Sequence, residues 1–208
     1  MEYKKKALLV IDMQYDFMLG GSLEVKDAND LIDPINDLLK LKWDLIVASQ
    51  DWHPGDHISF ASNHAGKKPF EEIVLKGGNI QMLWPDHCIQ NSHGAEIHDK
   101  LNSYLFKKII FKGKNKNIDS YSAFFDNEHA EKTELDDVLK AESITDIYVV
   151  GLAADYCVKY TAIDGIELGY NVFFVSDATK PVDVNNNTSF YKELEAAGVE
   201  IVQIESIS

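Results

Sequence analysis

Two groups of side chains in this sequence have the types and spacing to do chemistry. The first is a thiol, a cation and a carboxylate. Cys157 stands just past the strand-like run Asp146–Gly151, at the start of a helical pattern. There the positive end of the helix dipole and a nearby lysine would lower its pKa toward that of a nucleophile. Lys112 closes the run Lys108–Phe111, and Asp12 closes Ala7–Ile11. Together the three form an activated-nucleophile arrangement. The second group has the character of a metal site. Asp51-x-His53 offers an oxygen and a nitrogen two residues apart, which extended backbone aims to the same side. His87 could return from a long loop as a third ligand, and His57 stays open as a fourth. Mixed carboxylate and imidazole ligands suit zinc, iron or manganese, with positions left for water or substrate.

Each residue alone also has a plainer reading. Cys157 fits a buried structural cysteine, Asp12 a cap or turn former, and Lys112 a solvated charge in the basic stretch Lys112–Lys116. Asp51 and His53 could shape a turn before Pro54, with His87 packed on Trp84. His64, His93, His98 and His129 read as surface histidines and receive no role.

What weighs against the plain readings is the set of elements that must position these residues. Nearly continuous apolar runs recur at Ala7–Ile11, Leu45–Ser49, Lys108–Phe111, Ile147–Gly151, Val172–Ser176 and Glu200–Ile204. Such runs are expected of strands covered on both faces. Helical patterns separate them: Leu31, Ile32, Ile35, Leu38 and Leu39 around Pro34, then Thr133–Glu142, Asp155–Leu168 and Ser189–Ala197. The alternation predicts an α/β fold, a three-layer sandwich on a mainly parallel six-stranded sheet, in a single domain over residues 1–208. In such sheets ligands bind beyond the carboxyl ends of the strands. Asp12, Asp51, His53, Lys112 and Cys157 all fall on that rim. Residues 51–92 are the exception to the alternation: rich in Gly, Pro, His and Trp, without periodicity, and too long for an ordinary connection. A loop of that length in a compact domain is usually functional or disordered, and its Trp52 and Trp84 beside histidines favour function.

Composition narrows the partners. The chain has 208 residues and a formal net charge of −14, an acidic balance that repels phosphate backbones and anionic lipid. No apolar stretch approaches the ~20 residues of a membrane span. The N-terminus passes from three lysines straight into a strand-like run, without the apolar region of a signal peptide. Two cysteines make a disulfide framework improbable and a reducing compartment the default, so a cytoplasmic protein is expected, with a small-molecule substrate and neither nucleic acid nor membrane as partner.

Five segments carry a family resemblance, in order along essentially the whole chain: Asp12-Met13-Gln14-x-Asp16-Phe17 with Gly20-Gly21-Ser22-Leu23; Gln50-Asp51-Trp52-His53-Pro54; Leu83-Trp84-Pro85-Asp86-His87-Cys88; Asp119-Ser120-Tyr121-Ser122-Ala123-Phe124; and Val150-Gly151-Leu152-Ala153-Ala154-Asp155-Tyr156-Cys157-Val158. The sequence resembles the nicotinamidases, among the isochorismatase-like cysteine hydrolases with a Rossmann-like fold. The resemblance implies a triad of Asp12, Lys112 and Cys157, and one divalent ion, zinc before iron or manganese, held by Asp51, His53 and His87. It also implies oxyanion-binding amides at Ala153 and Cys157, a cis Leu152–Ala153 peptide, and a pyridine pocket walled by Phe17, Trp84 and Tyr121. The implied reaction is hydrolysis of nicotinamide to nicotinate and ammonia through a cysteine thioester, in NAD salvage. Lys114 and Lys116 compete for the lysine role; Lys112 is preferred because it ends the strand, ahead of Gly113. A carbamoyl or ureido amidase would share the triad but not the metal set. A non-catalytic metal-binding module would be expected to lack a triad residue. Homo-oligomer formation and activity on pyrazinamide stay open.

Overall fold

The computed structural model describes residues 4–184 and 189–207. Six parallel strands make the main sheet: β1 Lys5–Ile11, β2 Leu45–Asp51, β5 Lys108–Lys112, β6 Ile144–Leu152, β7 Asn171–Lys180 and β8 Glu200–Val202. Their spatial order is β5-β2-β1-β6-β7-β8. The chain therefore winds outward from β1 to one edge, then returns to build the other half from β6. The order reverses between β1 and β6, and at such a switch point the crossovers diverge and leave a crevice.

Alternation of side chains sorts the apolar runs onto two faces. Ala7, Leu9 and Ile11 of β1 join one core, against Leu135 and Leu139 of helix α2 (Leu135–Ala141), Ala162 of α3 (Lys159–Glu167) and Leu194 of α4 (Ser189–Ala197). Leu8 and Val10 join the other, against Ile35 and Leu38 of α1 (Ile32–Leu39) and the long loop's Trp84 and Cys88. Two covered faces explain why the strands read as unbroken hydrophobic stretches. Pro34 lies in the first turn of α1, where its missing N–H costs no helical bond.

The sequence reading and the structure differ in several places, among them β7, which runs on to Lys180 rather than ending at Ser176. The helical pattern Asp155–Leu168 divides into a π turn, Ala154–Val158, followed by α3. The expected strand Glu200–Ile204 ends at Val202. Within the long loop the chain folds an antiparallel hairpin, β3 Glu72–Val74 with β4 Ile80–Met82. Two three-residue strands, with Val74 and Ile80 exposed, are too short and too solvated to leave a periodic signal. Among the described residues no helix is long and apolar enough to cross a membrane.

Candidate active site

Asp12 follows β1 and Cys157 lies in the π turn after β6, so the two stand on opposite sides of the switch-point crevice. Lys112 ends β5 and reaches between them. Its Nζ donates to Asp51 Oδ1 at 2.6 Å, to the Ser120 carbonyl at 2.9 Å and to Cys157 Sγ at 3.4 Å. Those contacts use all three N–H groups of an ammonium. Asp12 Oδ2 is also only 2.9 Å from Nζ, yet accepts no well-aligned bond from it. Asp12 Oδ1 is taken by the Ser49 hydroxyl at 2.6 Å. One Asp12 oxygen is thus anchored, while the other feels the lysine's charge and keeps a lone pair for the neighbouring thiol.

Burial sets the protonation states. It raises the Asp12 carboxyl to about 6, with Lys112 pulling the other way. Burial would pull Lys112 down, but Asp12 and Asp51 together raise it well above its ordinary value, so it remains a cation. For Cys157, burial pushes the thiol well up and Asp12 adds to this, while Lys112 lowers it. Burial therefore works against the lowering expected from the helix start, and Lys112 supplies the opposing pull.

Beside this unit lie Asp51, His53 and His87, all buried, each offering a donor atom within 4.8 Å of those of the other two. His53 Nδ1 donates to the Gly113 carbonyl at 2.9 Å, and His87 Nδ1 to the Pro85 carbonyl at 2.8 Å. A carbonyl can only accept, so in the neutral form of both rings Nε2 carries the lone pair, the tautomer that metal-binding histidines use. Gly113 has φ +63, and a Cβ there would collide with the His53 ring, so glycine is required twice over. Burial, followed by the charge of His53, pushes His87 down to about 4 and keeps it neutral. His53 itself moves up because the Asp51 carboxylate outweighs burial. His57 groups instead with His53 and Asp119, and its Nε2 is buried without a partner. Burial holds this ring, too, near 4. Two buried carboxylates, Asp12 and Asp51, share the ammonium of Lys112, and a third, Asp119, lies near His53 and His57. A divalent cation fits that donor set and its charge.

A cavity opens beside the two groups. Phe17, Trp84, Tyr121 and Ala153 line it, as do Cys157 and the three metal-site residues. Trp84 meets Tyr156 edge-on with ring centroids 4.9 Å apart, and Tyr121 meets Tyr156 at 5.2 Å. The Leu152–Ala153 peptide is cis.

The isochorismatase domain model matches residues 6–206. The chain belongs to the isochorismatase family. Within it, a nicotinamidase of Acinetobacter baylyi is 44% identical over 202 residues, covering 97% of this chain and 94% of its own. A solved nicotinamidase and pyrazinamidase of Acinetobacter baumanii superposes with a TM-score of 0.94 at 42% identity, covering 99% of both chains. A pyrazinamidase of Pyrococcus horikoshii, solved in complex with zinc, gives 0.75 at 33% identity, covering 96% of this chain and 99% of its own.

In this isochorismatase-family site, eight of the ten residues singled out from the sequence line one cavity, and Lys112 and Asp12 stand behind them. Several further residues were missed. Tyr156, Leu23, Val182 and Asp119 also line the cavity. Gln14 holds the backbone of Asp51 at both ends: its amide donates to the Asp51 carbonyl and its oxygen accepts from the Asp51 N–H, each at 2.8 Å. Asp16 Oδ2 accepts from the Cys88 N–H at 2.7 Å and so fixes the residue after His87. Gln14, Asp16, Leu23, Asp119 and Tyr156 all sit inside the segments that carry the resemblance, which was the available signal. Ser49 and Val182 had none. His98, read as a surface residue, is buried and packs its ring on Tyr15 at 4.7 Å.

Proposed function

We propose that the chain hydrolyses nicotinamide to nicotinate and ammonia, with Cys157 as nucleophile and Asp12 as the group that moves protons. The observation that carries the reading is that Cys157 lines the same cavity as Asp51, His53 and His87, with Lys112 donating to both Cys157 and Asp51 and standing 2.9 Å from Asp12. Relatives at 42–44% identity named as nicotinamidases support the substrate. The product enters NAD salvage.

Asp12 takes the thiol proton through its free oxygen, and Sγ attacks the carboxamide carbon. Lys112 stays charged throughout and offsets the negative charge that passes between sulfur and carboxylate. The N–H groups of Ala153 and Cys157 would receive the oxyanion; removing one such donor costs about 3 kcal/mol in well-studied sites. When the C–N bond breaks, Asp12 returns the proton to the departing nitrogen, which leaves as ammonia. It then accepts a proton from water as the oxygen attacks the thioester, and passes it to Sγ as the C–S bond breaks, restoring the thiol and releasing nicotinate with its acid proton. Phe17, Trp84 and Tyr121 hold the ring and keep bulk water from the thioester.

Asp51, His53 and His87 would hold one divalent ion, zinc in our reading, which when bound supplies a ligand position for the pyridine nitrogen. We place the enzyme in the cytoplasm, with no nucleic-acid or membrane partner, as one domain. The test is ammonia release by the purified protein from nicotinamide, with metal content measured on the same sample. No ammonia from metal-replete protein would end this reading.

A further inference from the structure

A second group of potential ligands lies away from the cavity. His129, Asp164 and Glu167 offer donor atoms within 4.8 Å of one another. Asp164 and Glu167 are three residues apart on α3 and so share a face. His129 comes from the turn after Phe125. Its backbone is left-handed at φ 54, and its ring stacks on Phe125 with centroids 4.8 Å apart and planes 13° from parallel. That stacking holds Nε2 3.4 Å from Asp164 Oδ1.

Asp164 is the informative member. It is 4% exposed, and its Oδ2 has no hydrogen-bond partner. The Ser122 hydroxyl supports the carboxylate on one side. A buried carboxylate oxygen without a donor is costly, because the group has given up its water for nothing. No lysine or arginine is paired with it among the ion pairs of the described residues. What surrounds it instead is an imidazole and a second carboxylate, Glu167, both at the surface and both metal-ligand types.

We propose that His129, Asp164 and Glu167 form a second divalent-cation site, of the zinc class, separate from the catalytic centre. Ligands about 2.1 Å from one ion stand no more than about 4.2 Å apart, so the donors must close by roughly 0.6 Å at most. His129 and Glu167 are exposed and have room to do so. The ion would tie the Asp126–Glu131 turn to α3. Ser120 and Tyr121, which touch Lys112 and the cavity, lead into that turn, and α3 follows directly from the turn that carries Cys157.

The experiment is equilibrium dialysis of the full chain against micromolar zinc, with bound metal counted per chain. Wild type should hold two ions. His129→Ala and Glu167→Gln should each hold one and keep their turnover, and His93→Ala, a control at an exposed His–Glu pair, should hold two. The catalytic centre is separated by His53→Ala, which should retain one ion that His129→Ala then removes. One ion in wild type and none in His53→Ala would overturn the proposal, as would His129→Ala and Glu167→Gln keeping the wild-type count.

Discussion

Replacing Lys112 with methionine keeps an unbranched stem of similar length and deletes the charge. In the native site the ammonium stands 2.6 Å from Asp51 and 2.9 Å from Asp12, and its side chain is wholly buried. Without it, two buried carboxylates face each other, and the Ser120 carbonyl loses its donor. Removing one partner of a buried ion pair costs roughly 3–5 kcal/mol. For a chain of this size each kcal/mol lowers Tm by about 2–4 °C, so metal-free Lys112→Met should melt about 6–20 °C below metal-free wild type. Turnover should fall with it, since Asp12 is then driven toward its neutral form. The double variant with Asp12→Asn removes one of the stranded charges. It should therefore recover about 0.5–3 kcal/mol relative to the sum of the single losses. In kcat it should be little worse than either single variant, because groups acting as a unit are not additive. Thermal and urea melts give the first quantities and ammonia release the last. Additive losses in both, or a wild-type melt for Lys112→Met with the loss appearing in Lys114→Met, would refute the reasoning.

Three further predictions follow from the same geometry. Cys157→Ala and Cys157→Ser should abolish ammonia release while the far-ultraviolet spectrum survives, whereas Cys88→Ala should keep its chemistry; the reverse pattern would move the nucleophile. Because Asp12 must be ionised to take the thiol proton and is held at about 6, kcat/KM should fall as pH drops through that value. The Ser49 hydroxyl lowers Asp12, so Ser49→Ala should carry the acid limb to higher pH, and an unmoved limb would exclude Asp12 as its source. Benzamide, which lacks the ring nitrogen, should be a much poorer substrate. Chelation or His53→Ala should depress nicotinamide turnover far more than residual benzamide turnover; equal losses would mean that an ion there only stiffens the loop.

The sequence revealed the scaffold and the chemistry at different depths. Strands covered on both faces leave unbroken apolar runs, so all six were found, with their ends displaced by a few residues. The rim rule then gathered Asp12, Asp51, Lys112 and Cys157 without any contact being known. What could not be read was whichever depended on loop path. Residues 51–92 bring His87 back beside His53 through isolated bridges, His53 with Ile89 and Phe60 with Trp84, which carry no pattern of their own. The thiol's surroundings were only partly legible for a related reason. A helix start is visible in sequence, but the burial that pushes the thiol up comes from packing of distant segments.

Asp51 is where these two levels meet. One of its oxygens accepts from Lys112, and the other stands 3.6 Å from His53 Nε2, so a single carboxylate borders both the triad and the metal ligands. Gln14 fixes its backbone from both sides, leaving the carboxylate little freedom to favour one neighbour over the other. Burial alone would raise its pKa, yet Lys112, and then His53, hold it well below the usual carboxylate range. It therefore remains a permanent anion while Asp12, with its lone pair free and its pKa near 6, is the carboxylate able to gain and lose a proton. Two aspartates on one lysine thus divide the work by environment. The one shared with the histidines is kept charged, and the one beside the thiol is left titratable.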